Sequence, residues 1–382
     1  MNESPDQPTL AALILAAGYS SRMGRSKPLL PFGGQTAVAR VVRSFRQAGI
    51  DRIAVVTGHQ AEQLEPLLRE LGVGAIANPN YERGMYSSVQ AGIASLAADI
   101  DACFLLPVDI PLVRPATIAA LAANFAAQQA SISYPRFSGR RGHPPLIARS
   151  LFAEILAGQG DGGLHALLQT HQASATDVDV LDEGIVLDMD TPEDYAQLAA
   201  LAQRRHLPTP AECEAILATQ PTSDALRRHG RAVTAVARTI AGKLAARGVA
   251  IDLGLVLAAS LLHDIAKGQP GHAEVGAALV EELGYPVVAD VIRQHMSMSF
   301  DGSTTNEAAI VFLADKLVSG DRTVSLEERY APSFERFRDR LEALQGATRR
   351  YRTACAILAL VERKARAPIA TIVADSGVRP LP

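Results

Sequence analysis

The feature that most constrains this chain is a change of hydrophobic period near residue 200. Before it, short continuous apolar runs alternate with helical stretches. LAALILA (Leu10–Ala16), RIAVVTG (Arg52–Gly58) and ACFLLPVD (Ala102–Asp109) are the clearest runs. A run with no polar alternation is buried on both faces, as parallel strands are. Helical periodicity lies between them at Thr36–Ala48, Ala61–Leu71 and Ser87–Ala97. Strand–helix alternation predicts an α/β sheet with right-handed crossovers and a ligand crevice at the carboxyl ends of the strands. The loops after Ala16, Val56 and Val108 are expected to share that crevice.

From Thr222 no strand-like run stands out and the 3.6-residue period dominates: Asp224–Arg247, Leu253–Lys267, Ala273–Leu283, Val287–Met296, Asn306–Ser319 and Glu335–Lys364. The expected organisation is an α/β domain over residues 1–203, a linker over 204–221, an all-α domain over 222–365 and a tail over 366–382. QRRHLPTPAE (Gln203–Glu212), with charge and two prolines, suggests the linker.

Composition narrows the function classes. In 382 residues, 37 Lys and Arg face 40 Asp and Glu, a net charge of −3. That offers no basic field for nucleic acid or an anionic membrane. The run LGLVLAASLL (Leu253–Leu262) is about half of the ~20 residues that span a bilayer. The N-terminus MNESPDQPTL lacks the basic start and apolar core of an export signal. Three scattered cysteines make no disulfide framework. A cytoplasmic setting is the expectation.

Two places carry chemistry. The first is LAAGYSSRMGRSKPLLPFGG (Leu15–Gly34), a glycine-containing loop directly after a strand. Small residues at Ala16, Ala17 and Gly18 let backbone N–H groups approach phosphate oxygens, and Arg22 and Lys27 supply cations for a triphosphate and a leaving pyrophosphate. Asp109 in PVDIPLV follows a buried strand and suits Mg²⁺; the alternative is a turn fixed by Pro111. LDMDTPEDY (Leu187–Tyr195) offers Asp188 and Asp190, with Asp190 or Thr191 alternatively a helix cap. The second place is LLHDIAKG, with His263–Asp264. His229, His272, His295 and Asp315 each lie on an apolar helical stripe. Several ionisable groups aimed into one core are costly to bury unpaired, and a metal centre removes that cost.

In order, LAAG-Y-S-S-RMG-RS-K-PLLPFGG, NPNYERGMYSSVQAG, PVDIP, GHPPL and LDMDTPEDY resemble the family of molybdenum cofactor nucleotidyltransferases, especially its cytidylyltransferase branch. The resemblance covers Leu10–Ala202. It implies a Rossmann-like nucleotidyltransferase fold and transfer of a nucleotidyl group from an NTP, with CTP favoured, to the terminal phosphate of molybdopterin. It places Ala16, Ala17 and Gly18 in the nucleotide loop, Arg22 and Lys27 on phosphates, and Asp109 and Asp190 at Mg²⁺. Gly84, Ser88 and Gly92 fall in the base and pterin crevice, and Gly142 and His143 in the GHP turn. Arg140 and Arg141 are either contacts for an anionic acceptor or a solvated hairpin tip. The helical half, His229…His263-Asp264…His272…His295…Asp315, resembles the HD superfamily of metal-dependent phosphohydrolases, nearest its small diadenosine tetraphosphate hydrolase-like members. By that resemblance His229, His263, Asp264 and Asp315 hold one metal, His272 and His295 complete a second site, and Asp264 bridges. Fe, Mn, Zn or Ni all suit this set. Lys267 is either a phosphate contact or an exposed helix-end lysine. Two other readings remain at this stage: a sugar 1-phosphate or other phosphate acceptor, and a cofactor-carrying module that serves a molybdoenzyme or its chaperone.

Overall fold

The structure is a computed structural model and describes residues 7–381. The chain divides into two compact units between Arg205 and His206.

In the first unit seven strands form the body of one twisted sheet. They are β1 (Leu10–Ala16), β2 (Arg52–Thr57), β3 (Gly74–Ala77), β4 (Ala102–Pro107), β5 (Ile132–Phe137), β6 (Leu146–Ala148) and β7 (Ala175–Asp179). Their spatial order is β7-β5-β6-β4-β1-β2-β3. β1 lies between two parallel neighbours, with Leu15 opposite Val56 on one side and Pro107 on the other. Ala12, Leu13 and Ile14 are accordingly fully buried. β6 alone in this path runs antiparallel to both its neighbours, and Arg140–Arg141 adds a short strand beside β5. Helices α1 (Ala37–Gln47), α2 (Ala61–Glu70), α3 (Met85–Ala94), α4 (Pro115–Gln128), α5 (Phe152–Ala157), α6 (Gly163–Thr170) and α7 (Pro192–Gln203) surround the sheet. α3 lies so close to β1 that a Cβ on Gly92 would stand 2.9 Å from Leu13 Cδ1. Gly92 is therefore a packing residue under the crevice, not part of its lining.

The second unit is built from α8 (Pro210–Ala218), α9 (Asp224–Ala245), α10 (Leu253–Leu262), α11 (His272–Glu282), α12 (Pro286–Gln294), α13 (Glu307–Lys316), α14 (Leu326–Arg336), α15 (Leu341–Ala365) and α16 (Ile369–Ala374). α9 packs on α10 and α13, and α11 on α12. Among the described residues no helix is long and apolar enough to cross a membrane.

Three expectations change. The proposed linker over 204–221 contains α8, with Cys213, Ile216 and Leu217 buried. Its prolines and charge have a local role instead. Thr209 caps the helix, Pro210 occupies its first turn, and Glu212 closes a reciprocal capping box. The tail over 366–382 contains α16, and Leu381 N donates to Thr323 O at 2.9 Å. The helix expected to run Leu253–Lys267 ends at Leu262, so His263 and Asp264 sit in the turn that follows.

Candidate functional sites

In the α/β unit the carboxyl ends of β1, β2 and β4 converge as their loops predict. His59 N donates to Ala17 O at 3.2 Å, and Val108 N donates to Leu15 O at 3.1 Å. Between them lies a crevice of about 410 Å³ lined by Ala16, Ala17, Gly18, Lys27, Ser88 and Asp109, among others. Lys27 extends into it with its side chain largely buried. Its Nζ lies 3.1 Å from Asp109 Oδ2 and 2.8 Å from Asp190 Oδ1. Arg22 Nη1 reaches the other oxygen of Asp190 at 3.2 Å. Asp190 arrives because Met189 N donates to Asp109 O at 3.0 Å, tying its segment to the end of β4. The capping alternative is resolved residue by residue. Thr191 caps α7 and Asp194 completes the box, which leaves the Asp190 side chain facing Lys27.

Burial lowers the Lys27 pKa, but the hydrogen bonds and charges of Asp190 and Asp109 outweigh this and raise it. The Lys27 ammonium in turn holds the Asp190 carboxyl below its ordinary value. Asp109 and Asp190 bring hard carboxylate oxygens to one place beside Lys27 Nζ. Such donors suit Mg²⁺.

The other expected residues divide. Gly84 and Ser88 line the crevice. Ser88 Oγ is buried and accepts from Asn78 Nδ2 at 3.0 Å. Gly142 packs so tightly that its Cβ would meet Ile185 O at 2.4 Å, which gives it a structural role in the turn. His143 is half-buried. Burial lowers its pKa, against the pull of the Leu105 carbonyl and the Asp109 and Asp188 charges. Arg141 is committed to Asp177 and lies over the Tyr134 ring. An aromatic group at the mouth is not expected from the motifs. Tyr19, 50% exposed, has its ring centroid 5.0 Å from His59 and 5.5 Å from Tyr81. Those rings come from three separate loops, so no local motif marks them.

In the helical unit all six expected residues converge. His229 comes from α9, His272 opens α11, His295 caps α12 and Asp315 lies on α13. Asp264 is central. Its Oδ2 lies 3.8 Å from His229 Nε2 and 3.4 Å from His263 Nε2. Its Oδ1 lies 3.2 Å from His272 Nε2 and 3.4 Å from His295 Nε2. Asp315 Oδ1 lies 3.3 Å from His229 Nε2 and 3.6 Å from His263 Nε2. The two halves of the cluster share one carboxylate.

Backbone carbonyls orient the imidazoles. Gly320 O, Ser260 O and Ile292 O lie 2.7, 2.8 and 2.7 Å from the Nδ1 atoms of His229, His263 and His295. With Nδ1–H donating, each Nε2 turns to the centre, the arrangement that prepares imidazoles to ligate. His263 Nε2 is buried with no hydrogen-bond partner. The Nε2 atoms of His272 and His295 face each other at 3.3 Å. A buried nitrogen without a partner and two facing nitrogens fit cations at these positions. Burial alone would lower the His263 pKa, yet Asp264 and Asp315 push it up to about 10. Burial dominates at His295 and lowers it. Burial alone would raise the Asp264 and Asp315 carboxyls. His263 and its neighbours outweigh this at Asp264, Lys316 and the histidines do so at Asp315, and both fall well below the usual range.

Two cations border this cluster. Lys267 Nζ lies 3.0 Å from Asp264 Oδ2, with its side chain 47% exposed. Arg329 of α14 lines the same mouth, and its buried Nε has no partner. Sequence reading missed Arg329, because it lies beyond the last of the six ligand candidates.

The crevice and its fold define a nucleotidyltransferase domain. Residues 12–176 match the MobA-like NTP transferase domain, and residues 226–320 match the HD domain. The chain is 30% identical over 185 residues to the molybdenum cofactor cytidylyltransferase of Escherichia coli (strain K12), an alignment covering 48% of this chain and 92% of that protein. It is 28% identical over 201 residues to the nicotine blue oxidoreductase of Paenarthrobacter nicotinovorans, covering 50% and 98%. The crystal structure of Rv0371c from Mycobacterium tuberculosis H37Rv aligns at 28% identity and a TM-score of 0.47, over 51% of this chain and all of that one. The chain belongs to the MobA-like NTP transferase family through its first unit and carries an HD domain in its second.

Proposed function

We propose that the first unit transfers a nucleotidyl group, CMP in preference, from an NTP to the terminal phosphate of a molybdopterin-type acceptor. The observation that carries this is Lys27 standing between Asp109 and Asp190 at the end of the glycine loop. Ala16, Ala17 and Gly18 line the crevice, and in this reading their backbone amides receive phosphate oxygens. Lys27 and Arg22 offset the charge that gathers on the leaving pyrophosphate. The acceptor phosphate oxygen bonds to the α-phosphorus, and the bond from that phosphorus to pyrophosphate breaks. No protein nucleophile takes part, so orientation and charge carry the rate. Mg²⁺ held by Asp109 and Asp190 supplies charge neutralisation when bound. The test incubates the full chain with Mg²⁺, molybdopterin and each of CTP, GTP, ATP and UTP, and weighs the products. CMP addition with pyrophosphate release, lost in Asp109→Asn, is the expected result. Sugar 1-phosphates compete as acceptors in a parallel assay. Intact NTPs in every arm overturn the reading.

For the second unit we propose a metal-dependent phosphohydrolase acting on a phosphate ester or nucleotide. Asp264, reaching four imidazoles through its two oxygens, carries this reading. His229, His263, Asp264 and Asp315 would hold one ion and Asp264, His272 and His295 another. Such ions supply Lewis acidity and lower the pKa of bound water. In this reading Lys267 and Arg329, which line one cavity with His229 and Asp264, hold the phosphate. Elemental analysis of the full chain should find Fe, Mn, Zn or Ni, absent from a His263→Ala, Asp264→Ala variant. Equal metal content in both removes this half of the proposal.

A further inference from the structure

We propose that the helical unit has a second anion site, separate from the imidazole cluster, that binds the phosphate of a mononucleotide. It lies between α15 and the segment after α12, in a cavity of about 400 Å³. That is within the ~300–1,000 Å³ range of small-molecule sites. One wall carries Arg349, Arg350 and Arg352. Among the described residues none of these side chains has an ion pair or hydrogen bond. Some other arginines are matched, such as Arg52 with Asp99, Arg136 with Asp179 and Arg293 with three carboxylates, whereas Arg349, Arg350 and Arg352 share one cavity with no carboxylate on them. α15 supplies no counter-charge of its own, since no acidic residue lies between Glu342 and Glu362.

The guanidinium groups also converge. Arg350 Nη1 and Arg349 Nη2 lie 3.4 and 4.0 Å from the point where a Gly346 Cβ would stand. Glycine in a helix interior is unfavourable relative to alanine, and here it clears the floor beneath two cations. Like charges brought together with no carboxylate are disfavoured until an anion joins them. Guanidinium groups take phosphate oxygens in a bidentate fork. The facing segment contributes the hydroxyls of Ser297 and Ser299 and the half-buried side chains of Met298 and Phe300. Cations, hydroxyls and an aromatic wall in one cavity suit a phosphate attached to a flat apolar body. This site lies outside residues 226–320 for its arginines, and it does not depend on either activity proposed above.

The test is equilibrium dialysis of radiolabelled AMP, and separately of inorganic phosphate, against the full chain in EDTA. Wild type should bind AMP, and Arg349→Gln/Arg350→Gln should bind it at least tenfold more weakly with an unchanged thermal midpoint. Arg336→Gln/Arg338→Gln, which removes two cations from outside the cavity, should match wild type. Phosphate alone should bind at least tenfold more weakly than AMP. Absence of AMP binding, or equal binding by wild type and Arg349→Gln/Arg350→Gln, overturns the proposal. A loss in Lys27→Met of the same size places AMP in the other unit and overturns it too. Phosphate binding as tight as AMP overturns the nucleotide assignment.

Discussion

Lys27 shows how one side chain gathers a site. It follows a loop whose small residues admit phosphate, and it ends between two carboxylates from different segments. Its charge is held by both, so it is ionised wherever the enzyme is expected to work. In Lys27→Met the carboxylates lose their cation and the developing pyrophosphate charge loses its nearest positive group. We predict a fall of roughly 10²–10³ in kcat for nucleotidyl transfer, the range seen when one charge-stabilising donor is removed. A fall confined to KM would show that Lys27 only binds the triphosphate. Tyr19 belongs to the same scale: a half-exposed ring at the mouth of a charged crevice gives that crevice an apolar rim.

At the scale of elements, helix starts decide what a stretch of polar sequence becomes. Thr209 Oγ1 accepts from Glu212 N at 3.0 Å, and Glu212 Oε2 accepts from Thr209 N at 2.9 Å. Glu212 is fully buried, so this exchange sits inside the helical unit. Thr209→Ala should therefore destabilise that unit by about 1–2 kcal/mol, read as a shift in its urea midpoint at unchanged slope. No change would mean that α8 is held by its apolar face alone. The turn after α10 makes the related point. Its departure from helix lets His263 and Asp264 face one centre from adjacent positions, with Ser260 O orienting the imidazole.

On the scale of the whole chain, each unit has its own core and its own charged site, so a ligand of one should stabilise that one. Metal at about a thousandfold over its dissociation constant adds ~4 kcal/mol to the fold that binds it. Calorimetry of the full chain with and without chelator should show one unfolding transition move down and the other stay. In Mg²⁺-free buffer, movement of both, or of neither, would contradict a transition-metal centre in the helical unit. Much of this organisation was legible beforehand. The buried strands at Leu10–Ala16, Arg52–Thr57 and Ala102–Pro107 are continuous apolar runs, because both faces of a central parallel strand must leave water. Four of the six ligand candidates, His229, His272, His295 and Asp315, show as ionisable residues on apolar helical stripes, because those stripes turn away from water, and His263–Asp264 shows as an adjacent pair. The outer strands stand out less: Gly74–Ala77 is only four residues long and largely exposed, and Ala175–Asp179 carries polar residues because its position leaves them partly in water. Periodicity along one segment records how that segment meets water. It holds no record of which segments meet each other, and so the Asp109–Lys27–Asp190 contact, the Tyr19–His59–Tyr81 rings and the arginines over Gly346 appear only once the chain has folded.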